Sequence, residues 1–314
     1  MMTRNDCAAW LLEQDNFCIL THVRPDGDTM GSASALCVAL RQLGKTAHLL
    51  HNDGVSPFLD KCQVGLTKQW PDEGDTLITV DVAAPRMLPD AWLCLQEKMQ
   101  LRIDHHGSAT SFTPNELVDS TAAACGEIIY DVIMAMGAEM TKEIAWRLYI
   151  AISTDTGCFR YANTTANTYR VAAACAETGA ELYPITMELF DTTSIPELKL
   201  QNWMVDHATF LCGGKAAVCT IPKELEQSVS KEDLEGISGF LRSLEGIKMA
   251  ATIRQTETGC KVSVRAVPGF DAAAVCKKFG GGGHKGAAGA GFERTMEEAA
   301  EIIAKALMEA VEGV

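Results

Sequence analysis

The stretch LRIDHHGS, residues 101–108, decides how the chain is read. Its first half is short and apolar, as expected of a strand buried on both faces. Its second half places an acid and two adjacent histidines where that strand stops. Successive side chains on extended backbone point to opposite faces, so one hydrogen bond does not account for both histidines of the pair. With only seven histidines in 314 residues, the pairing asks what else converges on that spot. Three other runs share the pattern: FCILTH (17–22), AHLLHN (47–52) and TLITVDVA (76–83). Between the first two lies GSASALCVALRQLG, whose small and aliphatic residues fit a helix against a sheet, ended by Gly44. Helical patterns follow at 122–137, 141–153 and 165–179. Strands alternating with helices predict an α/β fold with a doubly wound, mainly parallel sheet.

The rhythm then changes. DTTSIPELKL (191–200) reads as a break and a new helix, with Ser194 as N-cap and Pro196 in the first turn. KAAVCTIP (215–222) reads as a strand and KEDLEGISGFLRSL (231–244) as a helix. KMAATIRQTETGCKVSVRAV (248–267) reads as a hairpin turning at 257–259. DAAAVCKKF (271–279) is helical and leads to GGGGHKGAAG, and the chain closes on the amphipathic TMEEAAEIIAKALMEAVEG. The expected organisation is a first domain at 1–191, a linker helix at 192–210 and a smaller α/β domain at 211–314.

Composition narrows the field. A 47% hydrophobic and 22% charged chain is globular rather than disordered, and long enough for a sizeable core. The net charge of −14 argues against a broad grip on long duplex DNA, while small nucleotides held by local contacts remain compatible. The twelve cysteines contain no C-x-x-C pair and sit largely in apolar runs, as reduced core residues do. The N-terminal apolar patch is broken by Glu13 and Asp15, unlike a signal peptide, and no apolar run reaches the roughly 18 residues of a membrane span. These features place the protein in the cytoplasm, with no membrane partner.

Ligands of open parallel sheets bind beyond the carboxyl ends of the strands. At those ends stand His22, Asp26 and Asp28 after the first run, Asp81 after the third, and Asp104, His105 and His106 after the fourth; Asp155 follows the helix 141–153. Taken singly, each has a plain structural explanation. Pro25-Asp26-Gly27 is also an ordinary turn, Asp81 a helix cap and Asp155 an N-cap or turn residue. Gathered at one sheet edge with His22 and His105, the four carboxylates Asp26, Asp28, Asp81 and Asp155 repel unless they protonate or hold cations. Oxygen-rich ligands with some imidazole suit manganese, magnesium or iron. Six such side chains, one carboxylate bridging, hold two ions about 3.5–4 Å apart. His48, His51 and His207 lack such companions and read as structural or surface residues, and the acids of EDLE (232–235) as a solvated helix face. The four glycines at 280–283 let backbone amides close on a phosphate, with His284 and Lys285 adding donors; the alternative is a flexible linker.

H-x-x-P-D-G-D (22–28), the strand-end Asp81, D-H-H (104–106) and T-D-T-G (154–157) resemble, in order, the four motifs of the DHH phosphoesterase superfamily. GGGGHKGAAG (280–289) resembles the signature of the DHHA1 domain that often follows it. The resemblance implies two manganese ions, with magnesium or other divalent ions as substitutes. His22, Asp26 and Asp81 would hold one; Asp28, Asp81, His105 and Asp155 would hold the other. His106 would face the scissile phosphate and Asp104 would orient the histidines. Arg265, Gly281, Gly282, Gly283 and His284 would hold the rest of the substrate, with the active site in a cleft between the domains. Ala266 stands where a serine is common in the family, and Arg24 and Thr29 vary the first motif at positions that bind no metal.

The domain content further resembles the stand-alone oligoribonuclease and 3′-phosphoadenosine-5′-phosphate phosphatase group. It lacks the different second domain of family II pyrophosphatases, the added DNA-binding parts of RecJ-type exonucleases and the membrane segments of cyclic dinucleotide phosphodiesterases. The resemblance therefore implies hydrolysis of short RNA or small nucleotides by a metal-bridging hydroxide, in a monomer or homodimer. A soluble phosphodiesterase for cyclic or linear di-adenosine nucleotides, and a non-catalytic nucleotide-binding protein, are the competing readings.

Overall fold

The computed structural model describes residues 1–107, 111–230, 234 and 236–313. Ser108, Lys231, Glu232, Asp233, Glu235 and Val314 lie outside the described residues, and with them parts of the LRIDHHGS stretch, of the helix expected at 231–244 and of the EDLE face. The chain divides into two compact units, Met1–Thr192 and Thr193–Val314.

The first unit is built on six parallel strands: β1 (Phe17–Leu20), β2 (Ala47–Leu50), β3 (Thr67–Lys68), β4 (Thr76–Val80), β5 (Met99–Asp104) and β6 (Asn115–Val118). Their spatial order is β3-β2-β1-β4-β5-β6. The four apolar runs are thus strands, at β1, β2, β4 and β5. The sequence reading missed β3, two residues long, and the edge strand β6, Asn115-Glu116-Leu117-Val118, of which only Leu117 is buried.

The two faces of this sheet are covered unequally. Phe17, Ile19, Ile78, Val80, Leu101 and Ile103 pack against α1 (Arg4–Glu13), α2 (Gly27–Gln42), α3 (Cys125–Ala135), α4 (Lys142–Asp155) and α5 (Ala166–Glu177). The alternate residues Cys18, Leu20 and Leu77 face a smaller cluster with Leu88, Trp92 and Leu95 from 3₁₀ turns at 85–98. Order reverses between β1 and β4, which places the ligand-binding crevice of such sheets at that point.

The second unit carries β7 (Thr209–Leu211), β8 (Ala216–Ile221), β9 (Met249–Thr256), β10 (Gly259–Ala266), β11 (Gly282–Gly283) and β12 (Ala287–Phe292), in the order β11-β12-β10-β9-β8-β7. Only β8 and β9 run parallel; the other neighbours are antiparallel. Helix α6 (Ile195–His207) begins at the expected Ser194 cap, whose side chain accepts from the Glu197 amide. Its Leu200 and Met204 pack with Ala217, Cys219 and Ile221, so this helix belongs to the core of the second unit. Helices α7 (Ala272–Lys277) and α8 (Met296–Glu312) cover the opposite face through Val275, Cys276, Ile303 and Leu307. Within the described part of 231–244, the chain forms a 3₁₀ turn at Ile237–Gly239 and a helical turn at Phe240–Ser243.

Candidate active site

Each carboxylate of the first unit is delivered by a strand end or a helix end. Asp26 is the N-cap of α2, accepting from the Thr29 amide at 3.0 Å, so the turn reading of Pro25-Asp26-Gly27 and the ligand reading coexist in one residue. Two residues on, Asp28 is fully buried, and both its oxygens accept backbone amides from the start of α3: Cys125 at 2.6 Å and Gly126 at 2.9 Å. Asp81 follows β4 with φ of 60°, a left-handed conformation that non-glycine residues seldom adopt outside functional sites. Asp155 is the last residue of α4, rather than an N-cap or loop residue.

These groups converge. His105 Nε2 stands 3.3 Å from Asp155 Oδ2, 3.6 Å from Asp28 Oδ2 and 3.6 Å from Asp81 Oδ1. Ligand atoms of Asp28, His105 and Asp155 lie within 4.8 Å of one another, as do those of His22, Asp26 and Asp81. A third grouping on the same scale is Asp81, His105 and His106. The DHH triplet divides its work as follows. Asp104 Oδ1 accepts from the amides of His105 (2.7 Å) and His106 (3.1 Å) and pairs with His106 Nδ1 at 2.8 Å. That leaves Nε2 as the free nitrogen of His106. The His105 ring is oriented by a different group, the Ala122 carbonyl, 3.3 Å from Nδ1.

Electrostatics point to cations. Burial, with the Asp26 carboxylate, raises the Asp28 pKa to about 6, against the lowering pull of His105 and of the Cys125 and Gly126 amides. Burial, then Asp28 and Asp26, raise Asp155 to about 9, and burial with the same neighbours pushes Asp81 well above the carboxylate range. Burial lowers His22. Burial alone would raise Asp104, but the hydrogen bond and charge of His106 outweigh it and hold its carboxyl low. His106 is raised in turn, first by that bond. Asp81 Oδ1 and Asp104 Oδ2 are buried without a hydrogen-bond partner. An orphaned carboxylate oxygen at the meeting point of two ligand groups fits a bridging cation ligand, and the mixed oxygen and imidazole donors suit manganese or magnesium.

A stability test follows. Asp28, Asp81 and Asp155 hold protons in the metal-free fold that the unfolded chain releases near pH ~3.9, so the folded state binds more protons and stability falls as pH rises from ~4 toward ~9. His106 acts in the same direction; His22, lowered, opposes it. The metal-free protein is expected to melt at least roughly 2–4 °C lower at pH 8.5 than at pH 5.5, which corresponds to about 1 kcal/mol in a unit of this size. Manganese should remove most of the difference. A melting temperature that is flat or rising over this range without metal would contradict the carboxylate cluster.

In the second unit, Lys261, Ser263 and Arg265 alternate along one face of β10, opposite Gly291, Gly289 and Ala287 of β12. They line a concavity of about 860 Å³ that also includes Gly281, Gly282 and Gly283. The inward residues Val262 and Val264 face α7 and α8, whereas α6 covers the outer face only beneath β8 and β9. The result is an open concavity floored by small residues of β11 and β12, with Lys261 and Arg265 along β10 and Phe292 and Glu293 at its rim. The glycine run is not a linker. Gly282 and Gly283 pair with Gly289 and Ala288, and a side chain at Gly281 would strike the Gly289 carbonyl at 2.2 Å. His284 is exposed just beyond, its amide donating to Ala287 O at 2.8 Å.

Sequence reasoning missed two contributors. Thr29, set aside as a variation of the motif, donates its hydroxyl to Asp81 Oδ2 at 2.6 Å and lies 3.1 Å from Asp26 Oδ1. The start of α3 holds Asp28 through backbone amides, which no side-chain pattern announces. The small-residue run Ala122–Gly126 was the available clue.

Residues 16–152 match the model of the DHH family, N-terminal domain, and residues 213–313 that of the DHHA1 domain. A bifunctional oligoribonuclease and PAP phosphatase NrnA from Thermus thermophilus is 34% identical over 302 residues, spanning 92% of this chain and 90% of that protein. A protein of the same name from Bacillus subtilis is 25% identical over 299 residues, 92% of this chain and 93% of its own. Among solved structures, an exopolyphosphatase-related protein from Bacteroides fragilis superposes with a TM-score of 0.85 at 23% identity, covering 98% of this chain and 96% of its own, which establishes a shared fold. With both domain models in series and similarity running through nearly the whole length, the chain belongs to the DHH/DHHA1 family of phosphoesterases.

Proposed function

We propose that this phosphoesterase uses two divalent ions, manganese first among them, to hydrolyse short oligoribonucleotides and 3′-phosphoadenosine 5′-phosphate. The observation that carries the reading is the pair of groups His22–Asp26–Asp81 and Asp28–His105–Asp155, joined by His105 Nε2, which stands 3.6 Å from the orphaned Asp81 Oδ1. The names of its relatives favour these substrates over others of the same chemistry. When bound, the ions would neutralise the clustered carboxylates, draw in the phosphoryl oxygens and acidify a water for attack. His106, kept more basic by Asp104, presents Nε2–H to the phosphoryl group and stabilises charge developing there. With Nδ1–H given to Asp104, the Nε2 donor exists only in the protonated ring, the form that Asp104 favours by raising the His106 pKa. Arg265 and the amides of the glycine run position the nucleotide. Lys261 lies four residues from Arg265 along β10, about 13–14 Å at strand rise, and takes a phosphate farther along a longer chain.

The test is a rate comparison with added manganese on a trinucleotide RNA, the adenosine bisphosphate and a cyclic di-adenosine nucleotide, with products identified. The first two should be cleaved and the third left largely intact. Arg265→Ala should raise KM for both good substrates about tenfold, the size of a lost charged hydrogen bond of roughly 1.5 kcal/mol or more. Lys261→Ala should raise KM about fivefold for the trinucleotide only, with a shallower salt dependence. Preference for the cyclic compound would replace the substrate reading. No hydrolysis of any of them would favour a binding protein.

A further inference from the structure

The two ligand groups are held in place by different means. Asp28, His105 and Asp155 all tie back to one five-residue stretch, Ala122–Gly126. The amides of Cys125 and Gly126 grip both oxygens of Asp28. The Ala122 carbonyl meets His105 Nδ1. Asn163 Nδ2 donates both its protons to carbonyls, at 3.1 Å to Ala123 and at 3.0 Å to Asp155, and so ties the end of α4 to the same stretch. Facing two carbonyls, the Asn163 amide has only one workable orientation, nitrogen inward. The stretch is anchored in turn: the Ala122 amide donates to the Asp119 carbonyl, and Arg4 bridges Asp119 and Asp131 on either side of it. His22, Asp26 and Asp81 have no such common support among the described residues. Their shared tie is the hydroxyl of Thr29, 2.6 Å from Asp81 and 3.1 Å from Asp26, and a single proton serves only one of them at a time. His22 itself is steadied through its carbonyl, by Asn52.

We infer that the two metal positions are unequal: the Asp28–His105–Asp155 position is preorganised and fills first, with Asn163 as its positioning residue, and the His22–Asp26–Asp81 position fills second and depends on Thr29. The inference rests on the two-metal reading above. Ligands already fixed by their outer partners lose less freedom on binding, and loss of such partners typically costs 10–100-fold in metal affinity. Because Asn163 is itself exposed, its effect belongs at the lower end of that range. Neither residue touches the metal or the phosphate, so both act through their neighbours.

Stepwise manganese titration of the metal-free full-length protein, followed by electron paramagnetic resonance and calorimetry, tests this without using hydrolysis. The wild type should bind in two resolved steps, the coupled two-manganese signal growing only in the second. Asn163→Ala should weaken the first step about tenfold and leave the intrinsic affinity of the second unchanged. Thr29→Val, which keeps the shape of the side chain, should weaken the second step more than the first, the smaller effect on the first coming through the shared Asp81. Melting curves without metal identify any variant that has simply lost its fold, and Asn163→Ser, which retains one donor, should recover part of the first-step affinity. Both variants shifting both steps alike, or Asn163→Ala shifting neither, would overturn the inference while leaving the phosphoesterase reading intact. A wild type that binds no manganese would remove both.

Discussion

Asp81→Asn is expected to lower phosphoester hydrolysis by about a thousandfold or more while leaving the fold in place. Asparagine is the informative replacement. It tolerates the left-handed backbone at this position, whereas alanine would add strain, and its side-chain oxygen still accepts the Thr29 hydroxyl. What disappears is the second anionic oxygen, Oδ1, buried and without a hydrogen-bond partner. If that oxygen bridges the two metal positions, the loss removes several kcal/mol of charge stabilisation, and ~4 kcal/mol corresponds to about three decades of rate. The metal-free variant should at the same time melt higher than the wild type near neutral pH, because folding no longer has to put back on residue 81 a proton that the unfolded chain releases. Full turnover with manganese, at normal metal stoichiometry, would sink the bridging role. A loss of activity accompanied by a lower melting temperature would mean that Asp81 supports structure rather than chemistry.

The second large effect is expected from a residue with no chemistry of its own. Gly31 of α2 lies against α4 so closely that a Cβ there would sit 2.4 Å from the Arg147 carbonyl oxygen and 2.8 Å from the Ala151 amide nitrogen. Gly27, one turn earlier, would place a Cβ 2.3 Å from Thr154 Cγ2. The obstacle at Gly31 is backbone, which does not rotate away, so a side chain must push the helices apart. Overpacking of this kind costs typically about 1–3 kcal/mol, and Gly31→Val should lie at or beyond the top of that range. In a unit of this size the melting temperature should fall by about 10 °C. The site should loosen as well, since α2 carries Asp26 and Asp28 at its start and α4 carries Asp155 at its end. Gly239→Ala, where a Cβ meets nothing within 4 Å and φ is −88°, is the matched control and should be near neutral. A Gly31→Val protein with wild-type melting and metal affinity would show that the close approach of the two helices is not needed.

Much of this was legible because strand ends announce themselves. Short apolar runs stopped by a histidine or an acid marked β1, β4 and β5 and the candidate ligands that follow them, and Ser194 with Pro196 marked the start of α6. The remainder was hidden for physical reasons. A two-glycine strand such as β11 has no propensity signal, since its pairing with β12 is a tertiary event. Asp155 reads as a loop residue because T-D-T-G looks like a turn, yet the helix runs on through it and its carboxylate is drawn into the cluster. The grip of Cys125 and Gly126 on Asp28 uses only main-chain amides, across nearly a hundred residues of sequence, and any residue except proline supplies one. Thr29 looked like a substitution of no consequence because its importance depends on which carboxylate its hydroxyl meets.

Each unit encloses a hydrophobic core of its own, and the candidate metal ligands all fall between residues 22 and 155, inside the first. On the proposed function, the capacity to cut and the capacity to choose what is cut are encoded in separate, consecutive lengths of gene. A recombination event near residue 192 could exchange the platform of β10 and β12 for another recognition surface without disturbing a single ligand. In such a lineage, substrates would diversify faster than chemistry, and the carboxylates at the strand ends would be the most slowly changing part of the protein.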